Sequence, residues 1–304
     1  EWFLNLKFSR NRRDGIMKID QSAYAEQKLR EFNLESDTAP SIPMPPSAKL
    51  TTAMVPGDSE AKKAMDQVPY RAYTGSLNYF RMTRPDLAVA SSTCSQFNGA
   101  WGPEHVRAVK QALRYAGRTK HWGIGFAKSG KTLKDDWVIE VWVDASHAAC
   151  PNTRRSRSGF FITLNGNLIS YKSKLQPGAP AQSSTEAEYR ALSLALNEVI
   201  WIKIILNEIG IKVQTPINIK EDNQATIKLG TNNMASTRSK HIDLRHHVVR
   251  YHNSKGTICL TYCKTSEMIA DMLTKCLAKP AFEELRASVM TDEHVDSNDD
   301  KYIH

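Results

Sequence analysis

Gln182-Ser-Ser-Thr-Glu-Ala-Glu-Tyr189 opens a helix and decides how this 304-residue chain is read. Ser183 and Glu186 have the spacing of a capping box, in which a hydroxyl caps the first turn and a glutamate three residues on reaches back. An apolar stripe follows at Leu192, Ala195, Leu196, Val199, Ile202, Leu206 and Ile209, in steps of three and four. Glu188 precedes Leu192 by four positions and so points along the stripe, towards a core. Glu186 lies about 200° away at about 100° per residue, and has the cap to serve. Taken alone, Glu188 reads as a solvated first-turn acid favoured by the helix dipole. Aimed inward, it needs a partner, and a cation is a common one. Acids elsewhere in the chain favour the second reading.

Hydrophobic residues make up 41% of the chain, enough for a sizeable core, and the length suits about two domains. A net charge of +9 suits a polyanionic partner but identifies none. Five widely spread cysteines argue against a disulfide framework and for reduced thiols inside a cell. Cys259 and Cys263 share one face of a strand pattern and read as packing, not zinc ligands. No run is long and apolar enough to span a membrane, and no signal peptide is visible. The chain starts at Glu1 inside the apolar pattern Trp2–Phe8, as a piece of something longer would.

Residues 2–8 and 15–19 predict two strands, and 21–33 an amphipathic helix. Residues 36–69, rich in proline, predict an extended linker. Thr83-Arg-Pro-Asp86 ends one helical segment and starts the next. Residues 103–117 predict a helix with His105, Arg107, Lys110, Arg114 and Arg118 on its polar side, an ordinary soluble face or a phosphate contact. Beyond a polar boundary at 128–136 come strands at 137–144, 158–164 and 167–172, the last two joined at the hairpin signal Asn165-Gly166. The long helix follows, then a strand at 217–222, helices at 223–229 and 240–253, a strand at 257–263 and a helix at 266–275. A hairpin meander followed by crossover helices implies a mixed five-stranded sheet with flanking helices. Trp142 and Trp201 sit in apolar patterns and read as core. The acidic end, residues 290–304, reads as a flexible tail.

Four acids fall at matching places. Asp144 ends the first of these strands, Glu188 opens the long helix, Asp222 ends the fourth strand, and Asp271 lies on the packed side of the last helix. Strand ends and helix starts beside a sheet converge on one rim. Four carboxylates there repel unless cations neutralise them, and a set of oxygen ligands without Cys or His suits Mg²⁺ or Mn²⁺. Two such ions about 4 Å apart activate water and stabilise the leaving oxygen of a phosphodiester.

Asp144-Ala-Ser, Ser183-Ser-Thr-Glu-Ala-Glu-Tyr189, Glu221-Asp-Asn-Gln224, Ser239-Lys-His-Ile-Asp-Leu-Arg-His246 and Ala270-Asp-Met-Leu-Thr-Lys275 closely resemble the ribonuclease H domain of copia-type LTR retrotransposon Pol polyproteins. Upstream, residues 2–8 look like the primer-grip hairpin of a reverse transcriptase and residues 21–33 like the start of its thumb. Residues 70–126, with Gly75-Ser-Leu77, Thr83-Arg-Pro-Asp86 and Leu113-Arg-Tyr115, look like the segment joining polymerase to ribonuclease H. The resemblance covers residues 1 to about 289.

It implies this organisation: the end of the palm and start of the thumb at 1–35, a linker at 36–69, a connection segment at 70–127, a linker at 128–136, a ribonuclease H domain at 137–289, and the tail at 290–304. The fold class is α/β, a ribonuclease H-like mixed sheet preceded by an α+β thumb and connection fragment. The implied activity is metal-dependent cleavage of the RNA strand of an RNA–DNA hybrid. Asp144, Glu188, Asp222 and Asp271 take the four acidic positions, with Glu186 the alternative at the second, and hold a two-ion Mg²⁺ or Mn²⁺ site. The implied partners are the hybrid and an upstream polymerase domain, whose paired catalytic aspartates belong before Glu1; no membrane is involved. The implied setting is intracellular, in a cytoplasmic virus-like particle or the nucleus. The loop Cys263-Lys-Thr-Ser266 lacks the histidine that many cellular ribonucleases H carry; His241 and His247 are candidates by sequence proximity alone. Arg154, Arg155, Arg157, Lys240, Arg245 and Arg250 are candidates for a phosphate-holding rim, and Ser146 for a 2′-hydroxyl contact. Two other readings stay open: a catalytically silent nucleic-acid-binding remnant, and an integrase-like nuclease on the same fold.

Overall fold

The computed structural model describes residues 1–35, 38–231 and 243–295, with residues 243–247 described by backbone alone. The chain divides into two compact units, Glu1–Lys128 with Lys275–His304, and Ser129–Thr274.

The first unit opens with β1 (Trp2–Phe3), β2 (Leu6–Asn11), β3 (Ile16–Asp20) and α1 (Ser22–Glu31). The expected linker is partly structured. Met44 and Leu50 are buried, and α2 (Ser59–Asp66) is capped by the Asp58 carboxylate, which accepts from the Ala61 amide at 2.8 Å. Then come α3 (Tyr70–Phe80), α4 (Ala88–Ser95), α5 (Pro103–Arg118) and β4 (Ile124–Ala127). The strand order is β1-β2-β3-β4, so the N-terminal hairpin gains a neighbour that its own sequence does not announce.

Thr83-Arg-Pro-Asp86 does more here than break a helix. Arg84 and Asp86 are 1% and 2% exposed and form a bidentate pair at 2.9 and 2.7 Å. Asp86 also accepts from the Tyr115 hydroxyl at 2.7 Å. A buried pair persists only when its remaining polar atoms are satisfied, and Thr119 takes further Arg84 donors. His105 is not on the polar face of α5: it is fully buried, its Nδ1 accepts from the Gly102 amide at 2.9 Å, and its ring lies 4.0 Å from that of Phe97. A side chain at the third helical position reaches back to the cap, and that local bond overrides the polar stripe.

The second unit contains β5 (Ile139–Ser146), β6 (Arg157–Leu164), β7 (Asn167–Leu175), α6 (Ser184–Glu208), β8 (Ile217–Glu221), α7 (Gln224–Thr231), α8 (Asp243–Ser254) and β9 (Ile258–Tyr262). Its sheet runs β7-β6-β5-β8-β9, with β5–β6–β7 antiparallel and β5–β8–β9 parallel. This is the mixed five-stranded sheet with flanking helices that the sequence implies. Asn165 and Gly166 both take positive φ, 49° and 82°, as a two-residue hairpin turn requires. A parallel neighbour for β5 needs a crossover, and α6 supplies it. Val141, Val143, Leu192, Leu196, Val199 and Ile219 are completely buried between helix and sheet.

Trp201 is not core; it is 59% exposed. It lies about 220° around the helix from Glu188, off the buried stripe. Trp142 is half-buried under the Lys220 ammonium, 4.1 Å from its ring centre. The helix expected at 266–275 is two 3₁₀ turns, Thr265–Glu267 and Ile269–Leu273, because Met268 between them adopts a non-helical φ −78°, ψ 89°.

After Thr274 the chain belongs to the first unit again. In α9 (Lys279–Ala287), Phe282, Leu285 and Arg286 are buried. Arg286 donates to the Tyr115 hydroxyl at 2.8 Å, and its guanidinium lies 4.0 Å from the Trp122 ring centre. The second compact unit closes at Thr274, and α9 packs within the first. The start of the acidic segment is held there too: Thr291 bridges to Gly123, and the Lys18 ammonium donates to the Glu293 carbonyl at 2.9 Å. Asp296, Asp299 and Asp300 lie outside the described residues.

Candidate active site

Asp144, Glu188 and Asp222 come together. One carboxylate oxygen from each lies within 4.8 Å of the other two. Parallel pairing of β5 with β8 brings Trp142 beside Lys220, so Asp144 and Asp222, each two residues further on, leave the sheet at the same end. The first turn of α6 delivers Glu188 to that end. Asp144 and Glu188 are 4% and 5% exposed, and Asp222 is half-buried.

The two glutamates divide as the helix stripe predicts. The Ser183 hydroxyl accepts from the Glu186 amide at 3.1 Å. The Glu186 carboxylate accepts from the Gln182 amide at 2.8 Å and pairs with Arg190 at 2.5 Å. Glu186 is thereby held at the cap, and Glu188 is left to face the acids.

Two threonines orient the aspartates. The Thr265 hydroxyl donates to Asp222 at 2.9 Å, and the Thr274 hydroxyl donates to the buried Asp144. Asp271, three residues before Thr274, is 6% exposed and lies outside the group of three oxygens. It shares their neighbourhood: burial first and then Glu267 push up the Cys263 thiol, and the charges of Asp222 and Asp271 add to that rise.

Glu221 is a fifth acid at this end, outside the four that the sequence motifs mark. It is completely buried. Burial is the main force pushing its carboxyl well above the usual range; the Asn223 amide opposes this, and the charges of Asp222 and Asp144 add to it. Glu188 is raised for the same reasons, burial first, then the charges of Glu221, Asp144 and Asp222, against one amide bond from Ala145. A signal for Glu221 was available. Ile217, Ile219 and Glu221 alternate on one face of β8, so a strand that buries the first two buries the third.

The donor set fits a hard divalent cation. It is all oxygen, it is crowded with negative charge, and among the described residues the Oε2 atoms of Glu188 and Glu221 are buried without a hydrogen-bond partner.

The residues expected to meet nucleic acid differ in exposure. Ser146 ends β5 on the same strand face as Asp144. Arg154 is exposed, while Arg155 is turned to the Gln176 carbonyl. Arg157 is no surface cation: it is 4% exposed, and its guanidinium donates to Ser173 at 3.4 Å. It already belongs to β6, which is flanked by strands on both sides. Arg250 is half-buried, and its guanidinium donates to the Leu229 carbonyl at 3.0 Å. Lys240 and His241, and the side chains of Arg245 and His247, lie outside the described residues.

No protein-family model matches the chain. It is 36% identical over 281 residues to the retrovirus-related Pol polyprotein from transposon TNT 1-94 of Nicotiana tabacum, covering 92% of this chain and 21% of that protein. It is 33% identical over 273 residues to the retrovirus-related Pol polyprotein from transposon RE1 of Arabidopsis thaliana, covering 90% of this chain and 18% of that protein. Among solved structures it is similar to LC11-RNase H1 in complex with RNA/DNA hybrid, with 16% identity, 45% of this chain and 93% of that one covered, and a TM-score of 0.34. The chain spans about a fifth of the curated polyproteins, and among its described residues no helix is long and apolar enough to cross a membrane. The sequence motifs and these relatives together place the chain in the family of retrovirus-related Pol polyproteins of copia-type transposons.

Proposed function

We propose that Ser129–Thr274 is a divalent-metal-dependent endoribonuclease that cuts the RNA strand of an RNA–DNA hybrid. One observation carries this reading: three acids from separate elements offer oxygens within 4.8 Å of one another at one end of the sheet. Asp144, Glu188 and Asp222 would hold Mg²⁺ or Mn²⁺, with Asp271 completing the set. Such ions, when bound, supply charge that activates water and stabilises a leaving oxygen. The chain's own residues do the positioning. Thr274 and Thr265 fix the carboxylates of Asp144 and Asp222, and burial of Glu188 excludes water from its side of the site. Exposed Arg154 would meet a phosphate, and Ser146 a 2′-hydroxyl. Hydrolysis forms a bond from water oxygen to phosphorus and breaks the bond to the leaving sugar oxygen, which takes up a proton.

The polymerase domain of the same polyprotein is the natural partner, because it would deliver the hybrid. The setting is intracellular, in a virus-like particle or the nucleus. The test is cleavage of a labelled hybrid by the whole chain in Mg²⁺, in Mn²⁺ and in EDTA. Metal-dependent cutting of the RNA strand alone is expected, and Asp144→Asn or Asp222→Asn should abolish it with the fold intact. A folded chain that shifts the hybrid on a gel and never cuts it would replace this reading with the silent binding remnant. Cleavage that survives loss of Asp271 would favour the integrase-like arrangement.

A further inference from the structure

Glu221 is the least expected residue in the second unit. It ends the row Ile217, Ile219, Glu221 on the buried face of β8, whose isoleucines join the same apolar core as the α6 stripe. Register places that row beside Val141 and Val143 of β5, both part of the apolar core. A carboxylate therefore stands where the pattern calls for an aliphatic side chain. One of its oxygens is accounted for, since Oε1 accepts from the Asn223 amide at 3.1 Å. The other, Oε2, is fully buried without a donor. Glu188 comes down from α6 on the same apolar stripe and also buries Oε2 without a donor.

Two orphaned carboxylate oxygens beside one apolar core are costly, and among the described residues nothing satisfies them. No lysine or arginine is hydrogen-bonded or ion-paired to either among the described residues; Lys220, next in sequence, is turned to Glu140 at 2.9 Å and to the Trp142 ring. The bond to the Asn223 amide uses Oε1 alone and gives no reason for burying the second oxygen, Oε2, without a donor.

We propose that Glu221 is a fifth acidic member of the cation site, standing behind Glu188, where it adds negative charge that draws the divalent ion in and loads the metal-free fold with a repulsion that binding relieves. This rests on the cation-site reading given under Proposed function and extends it to a residue outside the four acids. Glu221→Gln keeps the length of the side chain and the acceptor for the Asn223 amide. It also places an amide donor towards Glu188.

The experiment takes the whole chain, wild type, Glu221→Gln, Glu188→Gln and the double variant. Each is melted in EDTA and in Mn²⁺, and Mn²⁺ binding is measured by titration calorimetry. For Glu221→Gln, the melting temperature in EDTA should rise by roughly 2–10 °C, while Mn²⁺ affinity should fall by roughly ten- to a hundredfold. Glu188→Gln should also raise the melting temperature in EDTA. The double variant should gain less than the sum, because both changes relieve one repulsion. If Glu221→Gln binds Mn²⁺ like wild type, melts lower in EDTA, or adds fully to Glu188→Gln, the role of Glu221 is overturned. If the wild type neither binds nor is stabilised by Mn²⁺, it is the cation site itself that fails.

Discussion

Gly159 sits directly opposite Asp144 in the β5–β6 ladder. A Cβ added there would meet Thr274 Cγ2 at 2.7 Å, Leu273 Cβ at 2.8 Å and the Ala270 carbonyl oxygen at 3.2 Å. None of these is the loose end of a long side chain, and all belong to the turn that carries Asp271 and the Thr274 bond to Asp144. To regain contact at the ordinary 3.4 Å, Gly159→Ala must push that turn back by about 0.6–0.7 Å. Overpacking of this kind costs about 1–3 kcal/mol. Loss of glycine's freedom in the unfolded chain returns about 0.4–1 kcal/mol. The net loss is about 1–2 kcal/mol, a fall in melting temperature of about 2–8 °C for a domain of this size. Displacing a ligand-bearing turn by most of an ångström should also slow cleavage by about ten- to a hundredfold. Calorimetry in EDTA and single-turnover cleavage of the hybrid read the two effects. Gly75→Ala is the control: it lies inside α3 with nothing within 4 Å of the new carbon, so it should melt unchanged or slightly higher. Equal melting and equal rates for Gly159→Ala and wild type would refute the claim that this glycine sets the distance between strand and turn.

Two further outcomes are expected. Glu188 and Glu221 both hold their protons more tightly folded than unfolded. Their contribution to stability is therefore fully present below the ordinary carboxylate range and declines as pH rises above it. His105 and His252, whose folded values are lowered, act in the opposite sense at and below the ordinary histidine range. In EDTA, then, melting temperature should fall between about pH 7 and 8.5, where the glutamates dominate, and Mn²⁺ should flatten the decline; a flat or rising profile in EDTA would contradict it. In the first unit, Arg84→Ala strands the buried Asp86 carboxylate and should cost about 3–5 kcal/mol in urea unfolding, and a loss under about 1 kcal/mol would mean the pair is not what holds that motif.

Much of the site could be read in one dimension because the signals that place it are local. The step of three and four along α6 separated Glu188 from Glu186, and the structure puts the first among the acids and the second at the cap. Asn165-Gly166 fixed the hairpin, and a hairpin followed by a crossover helix fixed a mixed sheet. The alternation of β8 also holds the inward direction of Glu221.

Capping, periodicity and turn chemistry are properties of neighbours in the chain, so the sequence alone set the long helix, the hairpin and the opposed directions of Glu186 and Glu188. What covers each face was decided only by tertiary packing. Trp201 follows an apolar pattern yet faces outward, and Arg157 and His105 look like surface cations yet are enclosed. On α9, only packing shows that Tyr115 meets Phe282 and that Trp122 meets Arg286. Likewise Thr265 and Thr274 carry no mark of their role until the two 3₁₀ turns bring them onto Asp222 and Asp144. Burial and hydrogen-bond partnership depend on residues far apart in the chain, and local periodicity does not record which distant surface arrives.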